Sequence, residues 1–198
     1  MAAPIDIQKV RRRLAGLEPN VLEDAPRRAA VAAILRAPGA GEDTELLLIR
    51  RAEHPHDPWS GHMALPGGRH EPHDPSLLAT AQRETLEEVG VDLERAATLL
   101  GRLDDVPAVA RGRPVGMVIR PYVFELTGEV RIHPNYEVAE TLWAPLGPLI
   151  HGEADTTRPY PYEGREHHLP AFDVQGRVVW GLTYQMLQSF FRVLRTPG

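Results

Sequence analysis

The sequence contains no cysteine, and this absence excludes disulfide frameworks, thiolate zinc sites and cysteine nucleophiles. It also lacks any run approaching the ~20 apolar residues that a membrane-spanning helix requires. Its first residues do not show the charged-then-apolar pattern of a secretory signal. We therefore expect a cytoplasmic protein that does not associate with membranes.

The chain has no surplus of basic residues. Lysine and arginine together number 22 against 27 acidic residues, which gives a net charge of −5, and Lys9 is the single lysine. Domains that bind long nucleic acids usually carry a basic surplus. The charge balance therefore favours small-molecule partners over long nucleic acids.

The length of 198 residues and the composition, with 42% hydrophobic and 25% charged residues, fit one globular domain with a small appendage. Apolar spacing predicts a short helix over residues 5–14, with Asp6 as its N-cap, and residues 16–26 are typical of a linker. We therefore divide the chain into an N-terminal helix and linker, residues 1–25, and a main domain, residues 26–198.

Apolar runs and turn residues outline the main domain. Strands are predicted over residues 28–35, 45–49, 98–103 and 118–126, and residues 136–143 fit either a strand or a short helix. Loops are predicted over residues 52–73, 104–114 and 151–170, followed by a turn at 175–176. A final helix is predicted from about Thr183. These elements alone predict a mixed α/β domain.

The strongest helix signal covers residues 74–90. Asp74 is a suitable N-cap, Pro75 fits the first helical position, and Gly90 is a typical residue just beyond a helix end. Apolar and small residues recur at helical spacing and predict one buried face, formed by Leu77, Leu78, Ala81, Thr85 and Val89.

Three carboxylates lie on this helix in the segment Arg83-Glu84-Thr85-Leu86-Glu87-Glu88-Val89-Gly90. Residues three and four positions apart share a helix face, so Glu84, Glu87 and Glu88 are expected to project together. Such a cluster is stabilised by a cation, and carboxylate oxygens favour Mg²⁺ or Mn²⁺. Arg83 lies one turn before Glu87 and is expected to pair with it.

The same pattern also fits an ordinary solvated helix face, because arginine and glutamate pairs at this spacing are common on helix surfaces. The preceding segment favours the functional interpretation. Leu65-Pro66-Gly67-Gly68 supplies two glycines where the backbone turns tightly or approaches a ligand closely. A capped helix then presents the acidic face, and Gly90 ends it.

Residues 68–91, with Arg-Glu-x-x-Glu-Glu-x-Gly inside them, resemble the Nudix box of the Nudix hydrolases. Two departures are visible. Gly68 lies fifteen residues before Arg83, where the usual spacing is fourteen, and the separate upstream glutamate of the box is missing. Asp74 or Glu71 lies nearest to the place of that glutamate.

The resemblance implies a fold, a reaction and a set of site residues. The implied fold is α/β, a Nudix-type α/β/α sandwich around a mixed β-sheet, and the implied reaction is cleavage of a nucleoside diphosphate linked to another group. Mg²⁺ or Mn²⁺ would be held by Glu84, Glu87 and Glu88, which with Arg83 form the catalytic set. Substrate contacts are expected from Arg50, Arg69, Gly67 and Gly68.

The one-residue insertion resembles the coenzyme A pyrophosphatase branch of the family, as do flanking stretches at residues 46–50, 101–106 and 180–183. Trp59 and Leu65 stand where that branch has histidine and phenylalanine. The first substrate this resemblance implies is coenzyme A or an acyl derivative, cleaved to 3′,5′-ADP and 4′-phosphopantetheine.

Other interpretations stay open. The substrate is alternatively another nucleoside diphosphate derivative, such as an ADP-sugar or NADH, or a dNTP. A Nudix-fold binding module without catalysis is a further alternative, although such members lose box glutamates that are present here. Isopentenyl diphosphate isomerase shares the fold but relies on a cysteine that this chain lacks. The expected assembly is a monomer or a homodimer.

Several residues outside the box have both a functional and a structural interpretation. Five of the nine histidines lie between His54 and His73, where a zinc site competes with a solvated loop. Glu137 and Glu140 fit an additional metal ligand or base, or a surface loop. The remaining sets are Asp104 and Asp105 (a strand end or the metal), Tyr160, Tyr162 and His167 (base stacking or loop packing), and Tyr184, Leu187, Phe190 and Phe191 (core or dimer interface).

Overall fold

A computed structural model describes residues 2–57, 59–110, 112–162 and 164–196. The helices are α1 (Ile7–Leu14), α2 (Leu77–Val89), α3 (Leu93–Ala96), α4 (Leu146–His151) and α5 (Gly181–Arg195). The strands are β1 (Arg27–Arg36), β2 (Glu45–Arg51), β3 (Met63–Ala64), β4 (Gly67–Arg69), β5 (Ala97–Arg102), β6 (Val106–Ala110), β7 (Arg113–Leu126), β8 (Val138–Pro145), β9 (Asp155–Tyr162), β10 (Arg165–Val174) and β11 (Arg177–Trp180).

Strands β1 to β8 form a mixed eight-stranded sheet. Its central path runs β3-β2-β1-β7-β5, with β4 added to β1, β6 to β7 and β8 to β2. Strands β1 and β7 are parallel, and the other pairs are antiparallel. A separate antiparallel sheet has the order β11-β10-β9. This confirms the predicted mixed sheet.

Both faces of the large sheet are covered, as the alternation of side chains along β1 shows. Ala33 and Leu35 belong to one buried cluster, together with Val10 of α1 and Phe190 of α5. Ile34 lies between them in sequence and belongs to a second cluster on the opposite face. That second cluster includes Ala81 and Val89 of α2 and Leu93 of α3. The result is the expected α/β/α sandwich.

The structure confirms the predicted helix over residues 5–14, the predicted strands over residues 28–35 and 45–49, and the helix that Gly90 ends. Gly90 has a left-handed φ of 72°, and its N–H donates to the Leu86 carbonyl, as expected of a residue at this position. The apolar stripe of α5 is part of the chain's own core, because Leu187, Phe190 and Phe191 are at most 1% exposed. Tyr184 packs against Phe172 beside them.

Four predictions of local structure were wrong. Helix α2 begins after Ser76, whose hydroxyl accepts from the Ala79 N–H, so Asp74 is not the N-cap. The predicted loop over residues 104–114 contains β6, although its Arg111 lies outside the described residues. The predicted loop over residues 52–73 contains β3 and β4, and Pro58 within it also lies outside them. The segment 136–143, for which a strand and a short helix were both open, is not among these errors, since it is largely strand β8.

The fourth error is the segment 151–170, which forms an antiparallel pair of strands, β9 and β10, rather than a loop. Its prolines and polar residues suggested a loop, but Pro159 and Pro161 lie on β9, the edge strand of the small sheet, where proline is tolerated, and Pro170 lies on β10. Exposure alternates along β9, with Arg158 and Tyr160 on the less exposed face. A strand was not predicted here because the side chains that alternate along β9 are mostly polar and give no apolar period-2 pattern.

Helix α1 packs into the core rather than standing apart from it. Val10 and Leu14 are 0% and 3% exposed and lie in the cluster that contains the side chains of α5. Arg11 donates two hydrogen bonds to the carboxylate of Glu125 on β7, at 2.7 and 2.6 Å. The domain boundary at residue 25 stays a prediction.

We expect Leu14→Ala to lower the free energy of unfolding by about 2–4 kcal/mol, since it leaves a cavity under the large sheet. Arg12→Ala, an exposed change on the same helix, should alter it by less than about 0.5 kcal/mol. Urea unfolding monitored by circular dichroism measures both. A Leu14→Ala protein as stable as the wild type would contradict the packing of α1 into the core.

Candidate active site

Helix α2 and the short strand β4 meet at the site. Ser76 and Gly90 fix the two ends of α2, and its face with Ala81, Thr85 and Val89 is buried against the sheet. At about 100° per residue, Glu88 lies about 40° from Glu84 around the helix, on the side toward β4. Glu88 is 3% exposed, although it is charged in its ordinary state.

Gly67 permits this burial. It has a φ of 148°, and a Cβ at this position would overlap the Ala30 carbonyl and Val31 of β1. With β4 held this close to β1, the Gly67 N–H donates to Glu88 Oε2 of α2 at 2.8 Å. The buried carboxylate thus has a backbone donor, as buried charges require.

Gly68 leaves room for the second carboxylate. A Cβ at Gly68 would overlap the carboxyl group of Glu84, so this glycine lies directly against that side chain. Glu84 also accepts from Arg83 Nη1 at 3.0 Å. The two glycines predicted from the sequence therefore lie beside the two carboxylates, one glycine to each.

Burial changes the acidity of both glutamates. It raises the pKa of Glu88 to about 7, against the opposing effects of the Gly67 N–H and the positive charge of Arg51. Burial also raises the pKa of Glu84, while Arg83 opposes it. The negative charges of Glu87 and Glu137 raise the pKa of Glu84 further, and those of Glu84 and Glu137 raise the pKa of Glu88 further. A cation among these oxygens would relieve this repulsion.

Asp74 and Arg83 form the support beneath the acidic face. Arg83 Nε and Nη2 donate to the Asp74 carboxylate at 2.8 and 2.9 Å, and Nη2 also donates to the Arg69 carbonyl at 3.1 Å. Asp74 further accepts from the Thr80 hydroxyl and the Glu71 N–H. Of the two residues nearest the place of the missing box glutamate, Asp74 is therefore the one that contacts Arg83.

A cavity of about 630 Å³ opens over these carboxylates. Its polar part includes Glu84, Glu88 and Glu137, together with Gly67, Gly68 and Arg69. The rest of the lining is mainly apolar and aromatic, with Trp59, Met63, Leu65, Met117, Ile119, Trp180, Leu182 and Met186. This size and this division suit a small molecule with a charged part and a larger apolar or aromatic part.

The structure adds residues that sequence reasoning missed. Arg51 lines the cavity and donates to Asp57 at 3.0 and 2.6 Å, whereas the sequence suggested its neighbour Arg50. Met117 and Met186 come from β7 and α5, far apart in sequence, and nothing local marks them. Trp180 belongs to the flanking stretch 180–183 and His62 to the histidine-rich segment between His54 and His73, and both line the cavity.

Other candidates lie elsewhere or serve the fold. Arg50 Nε lies 3.3 Å from Glu140 Oε2, and Glu140 also accepts two hydrogen bonds from Arg177. Asp105 is bound by Arg120 through two hydrogen bonds of 2.8 Å, which favours its structural interpretation. The ring of Tyr162 packs edge-on against that of His167.

The three glutamates of α2 do not all project together as predicted, because Glu84 and Glu88 line the cavity and Glu87 does not. The side chain of Glu87 is 52% exposed and lies 3.3 Å from Arg83 Nη1, on the other side of Glu84 from Glu88. Within the described ranges, no three histidine, aspartate or glutamate side chains are grouped closely enough to hold a metal ion by themselves. The donor set in the cavity nevertheless fits a hard cation, because Glu84 and Glu88 present carboxylate oxygens whose charges repel each other.

We expect Asp74→Asn to lower the free energy of unfolding by about 1.5–3 kcal/mol near neutral pH, since it removes the negative charge and one of the two oxygens that accept from Arg83. Arg83 holds the pKa of Asp74 well below its usual range. This stabilisation is therefore complete above the unfolded pKa of about 3.9 and fades as the pH falls below it. Urea titrations across this range measure the difference, with exposed Asp24→Asn as the control. A difference independent of pH would contradict the ion pair.

Comparisons with known proteins agree with this geometry. Residues 26–163 match the model of the NUDIX domain. A Nudix hydrolase named NudL from Photorhabdus laumondii is 32% identical over 177 residues, which cover 86% of this chain and 87% of that protein. Protein C14C4.10c of Schizosaccharomyces pombe is 35% identical over 157 residues, covering 70% of this chain but only 47% of that protein.

Solved structures show the same fold at lower identity. A MutT/nudix family protein from Enterococcus faecalis has a TM-score of 0.55 and 19% identity, covering 96% of this chain and 70% of that one. A C. elegans Ap4A hydrolase has a TM-score of 0.52 and 24% identity, covering 63% and 84%. The chain belongs to the Nudix hydrolase family, whose members act on phosphoanhydride bonds.

Proposed function

We propose that this protein is a pyrophosphohydrolase dependent on Mg²⁺ or Mn²⁺ that cleaves coenzyme A or an acyl derivative to 3′,5′-ADP and 4′-phosphopantetheine. The observation that carries the proposal is the pair of carboxylates, Glu84 and Glu88, in the wall of one cavity beside Gly67 and Gly68. Carboxylate oxygens and a glycine loop together are suited to a cation and a diphosphate.

In this proposal Glu84 and Glu88 hold the cation, with Glu87 as a further ligand. When bound, a divalent cation neutralises phosphate charge and lowers the pKa of a water molecule. The Gly67 N–H keeps Glu88 in place, and Arg83 orients Glu84 through the bond of 3.0 Å. A water attacks one phosphorus in line while the bond from that phosphorus to the bridging oxygen breaks, the other phosphate leaves with that oxygen, and a carboxylate accepts the proton of the water.

Residues around the cation would bind the substrate. Arg69 follows the glycines on β4, lines the cavity and is exposed, so its guanidinium is free to contact the diphosphate. Glu137 also lines the cavity and is coupled electrostatically to both Glu84 and Glu88. It is a candidate base beside the box glutamates. Arg50 stays a candidate phosphate contact on sequence grounds.

The choice of coenzyme A rests on the one-residue insertion in the box and on the apolar lining. Met63, Met117 and Met186 provide flexible apolar surface of the kind that accommodates a long thin group such as pantetheine. An ADP-sugar, NADH or a dNTP is the alternative substrate. No described helix is long and apolar enough to cross a membrane, and we propose that the protein acts in the cytoplasm.

Product analysis by liquid chromatography and mass spectrometry tests the substrate. The panel contains coenzyme A, acetyl-coenzyme A, NADH, ADP-ribose and dNTPs, each with Mg²⁺ or Mn²⁺. We expect coenzyme A to yield 3′,5′-ADP and to be cleaved with a higher kcat/KM than any other member of the panel. Faster cleavage of another panel member would assign that compound as the substrate instead of coenzyme A. No cleavage of any member would favour a binding module.

The role of Glu88 is tested by substitution. We expect Glu88→Gln to lower kcat by at least ~100-fold, because the amide cannot neutralise a cation. Glu94→Gln, an exposed change on α3, serves as the control and should leave kcat unchanged. Circular dichroism verifies that both variants fold. A Glu88→Gln enzyme within a few-fold of the wild type would exclude catalysis at this cavity.

A further inference from the structure

Trp180 is surrounded by polar and aromatic groups at one side of the cavity. The guanidinium carbon of Arg158 lies 4.3 Å from the centroid of its ring, and the ring of His62 lies 4.7 Å away. The ring of Tyr160 follows at 5.6 Å. Trp180 and His62 both line the cavity, so this group of four side chains, here called the aromatic corner, borders the proposed substrate site.

Three separate parts of the fold build the aromatic corner. Arg158 and Tyr160 lie on the less exposed face of edge strand β9, and Trp180 ends β11 of the same small sheet. His62 comes from the segment between β2 and β3 of the large sheet. The small sheet thus places Trp180 in the cavity wall, with the Arg158 guanidinium and the Tyr160 ring against it, whereas the carboxylates come from α2.

The charge of Arg158 is not balanced by a neighbouring acid. Among the described residues, no carboxylate forms an ion pair with its guanidinium, in contrast to Arg51 on the same cavity, whose partner Asp57 is 2.6 Å away. Burial and the positive charge of Arg158 lower the pKa of His62, so that this imidazole is uncharged near neutral pH. The corner therefore presents one uncompensated positive charge beside neutral rings.

This chemistry matches a phosphorylated nucleoside. A guanidinium binds a phosphate through two parallel N–H donors, and stacking on an indole fixes the plane of these donors. Aromatic rings provide the surface on which a base packs. Arg69 lies beside the glycines and carboxylates in the other part of the cavity, where the diphosphate is proposed to bind. Arg158 is therefore available for a second phosphate.

We propose that Arg158 binds a phosphate on the ribose of the substrate, in addition to the diphosphate that is cleaved, while the rings of the aromatic corner contact the base. This inference rests on the proposed function and deepens it. The substrate class is a nucleoside diphosphate derivative with a 2′- or 3′-phosphate, so phosphorylated ribose is preferred over free ribose. Arg158 acts as a specificity residue and takes no part in bond cleavage.

Binding of product fragments tests the inference without turnover. Calorimetry compares 3′,5′-ADP with 5′-AMP, and 2′,5′-ADP with 5′-AMP, on the metal-free protein. We expect one of the two bisphosphates to bind about 10- to 100-fold more tightly than AMP, as a charged hydrogen-bonded pair predicts. Arg158→Gln should abolish this preference for the bisphosphate over AMP, and Arg158→Lys should retain part of it. Equal binding of all three nucleotides to the wild type would overturn the inference.

Arg165→Gln is the matched control, because it removes the same charge from an exposed position of the adjacent strand β10. It should keep the wild-type ratio. A ratio that falls equally in Arg165→Gln and Arg158→Gln would assign the effect to net charge and overturn the specific contact. Thermal unfolding of each variant verifies that the small sheet is intact.

Kinetics then separate this inference from the proposed function. Coenzyme A is compared with dephospho-coenzyme A, and NADPH with NADH. We expect Arg158→Gln to raise KM for the phosphorylated member of one pair by about 10-fold or more. The kcat values and the KM for the unphosphorylated member should stay unchanged. Cleavage without any preference would overturn the inference alone. Absence of cleavage throughout would overturn the proposed function, while the binding ratios still decide the role of Arg158.

Discussion

The site depends on one hydrogen bond, from the Gly67 N–H to the buried carboxylate of Glu88 at 2.8 Å. Burying a carboxylate is costly unless donors and neighbouring charges compensate it. Here the donor comes from β4, which lies so close to β1 that only a glycine fits against Ala30 and Val31 at position 67. The large sheet, the glycine loop and the acidic helix are therefore fixed relative to one another by the same contact.

The Asp74–Arg83 ion pair supports the same acidic face of α2 through Glu84. Arg83 binds Asp74 before the helix, Glu84 on the helix and the Arg69 carbonyl on β4, so one guanidinium joins three segments. A shifted aspartate in place of the usual glutamate preserves this connection despite the extra residue in the loop. The departure from the family's spacing is thus compatible with the same support of the acidic face.

The sequence was most informative where the signal is local. The capped helix, the paired glycines and the carboxylates four residues apart are short-range patterns, and the structure places them together. The cavity lining could not be predicted in this way, because Met117, Met186 and Trp180 meet only through the packing of β7, α5 and the small sheet. Arg158 was not recognised because the prolines around it, Pro159 and Pro161, are typical of a loop, although they lie on the edge strand β9.

The cation-binding role of Glu84 and Glu88 is tested most directly by titrating the protein with Mn²⁺ in a calorimeter. We predict saturable binding to the wild type that is lost in the double variant Glu84→Gln/Glu88→Gln, since an amide cannot compensate the charge of the ion. Exposed Glu94→Gln should bind Mn²⁺ as the wild type does. Unchanged binding to the double variant would contradict a cation site at these carboxylates.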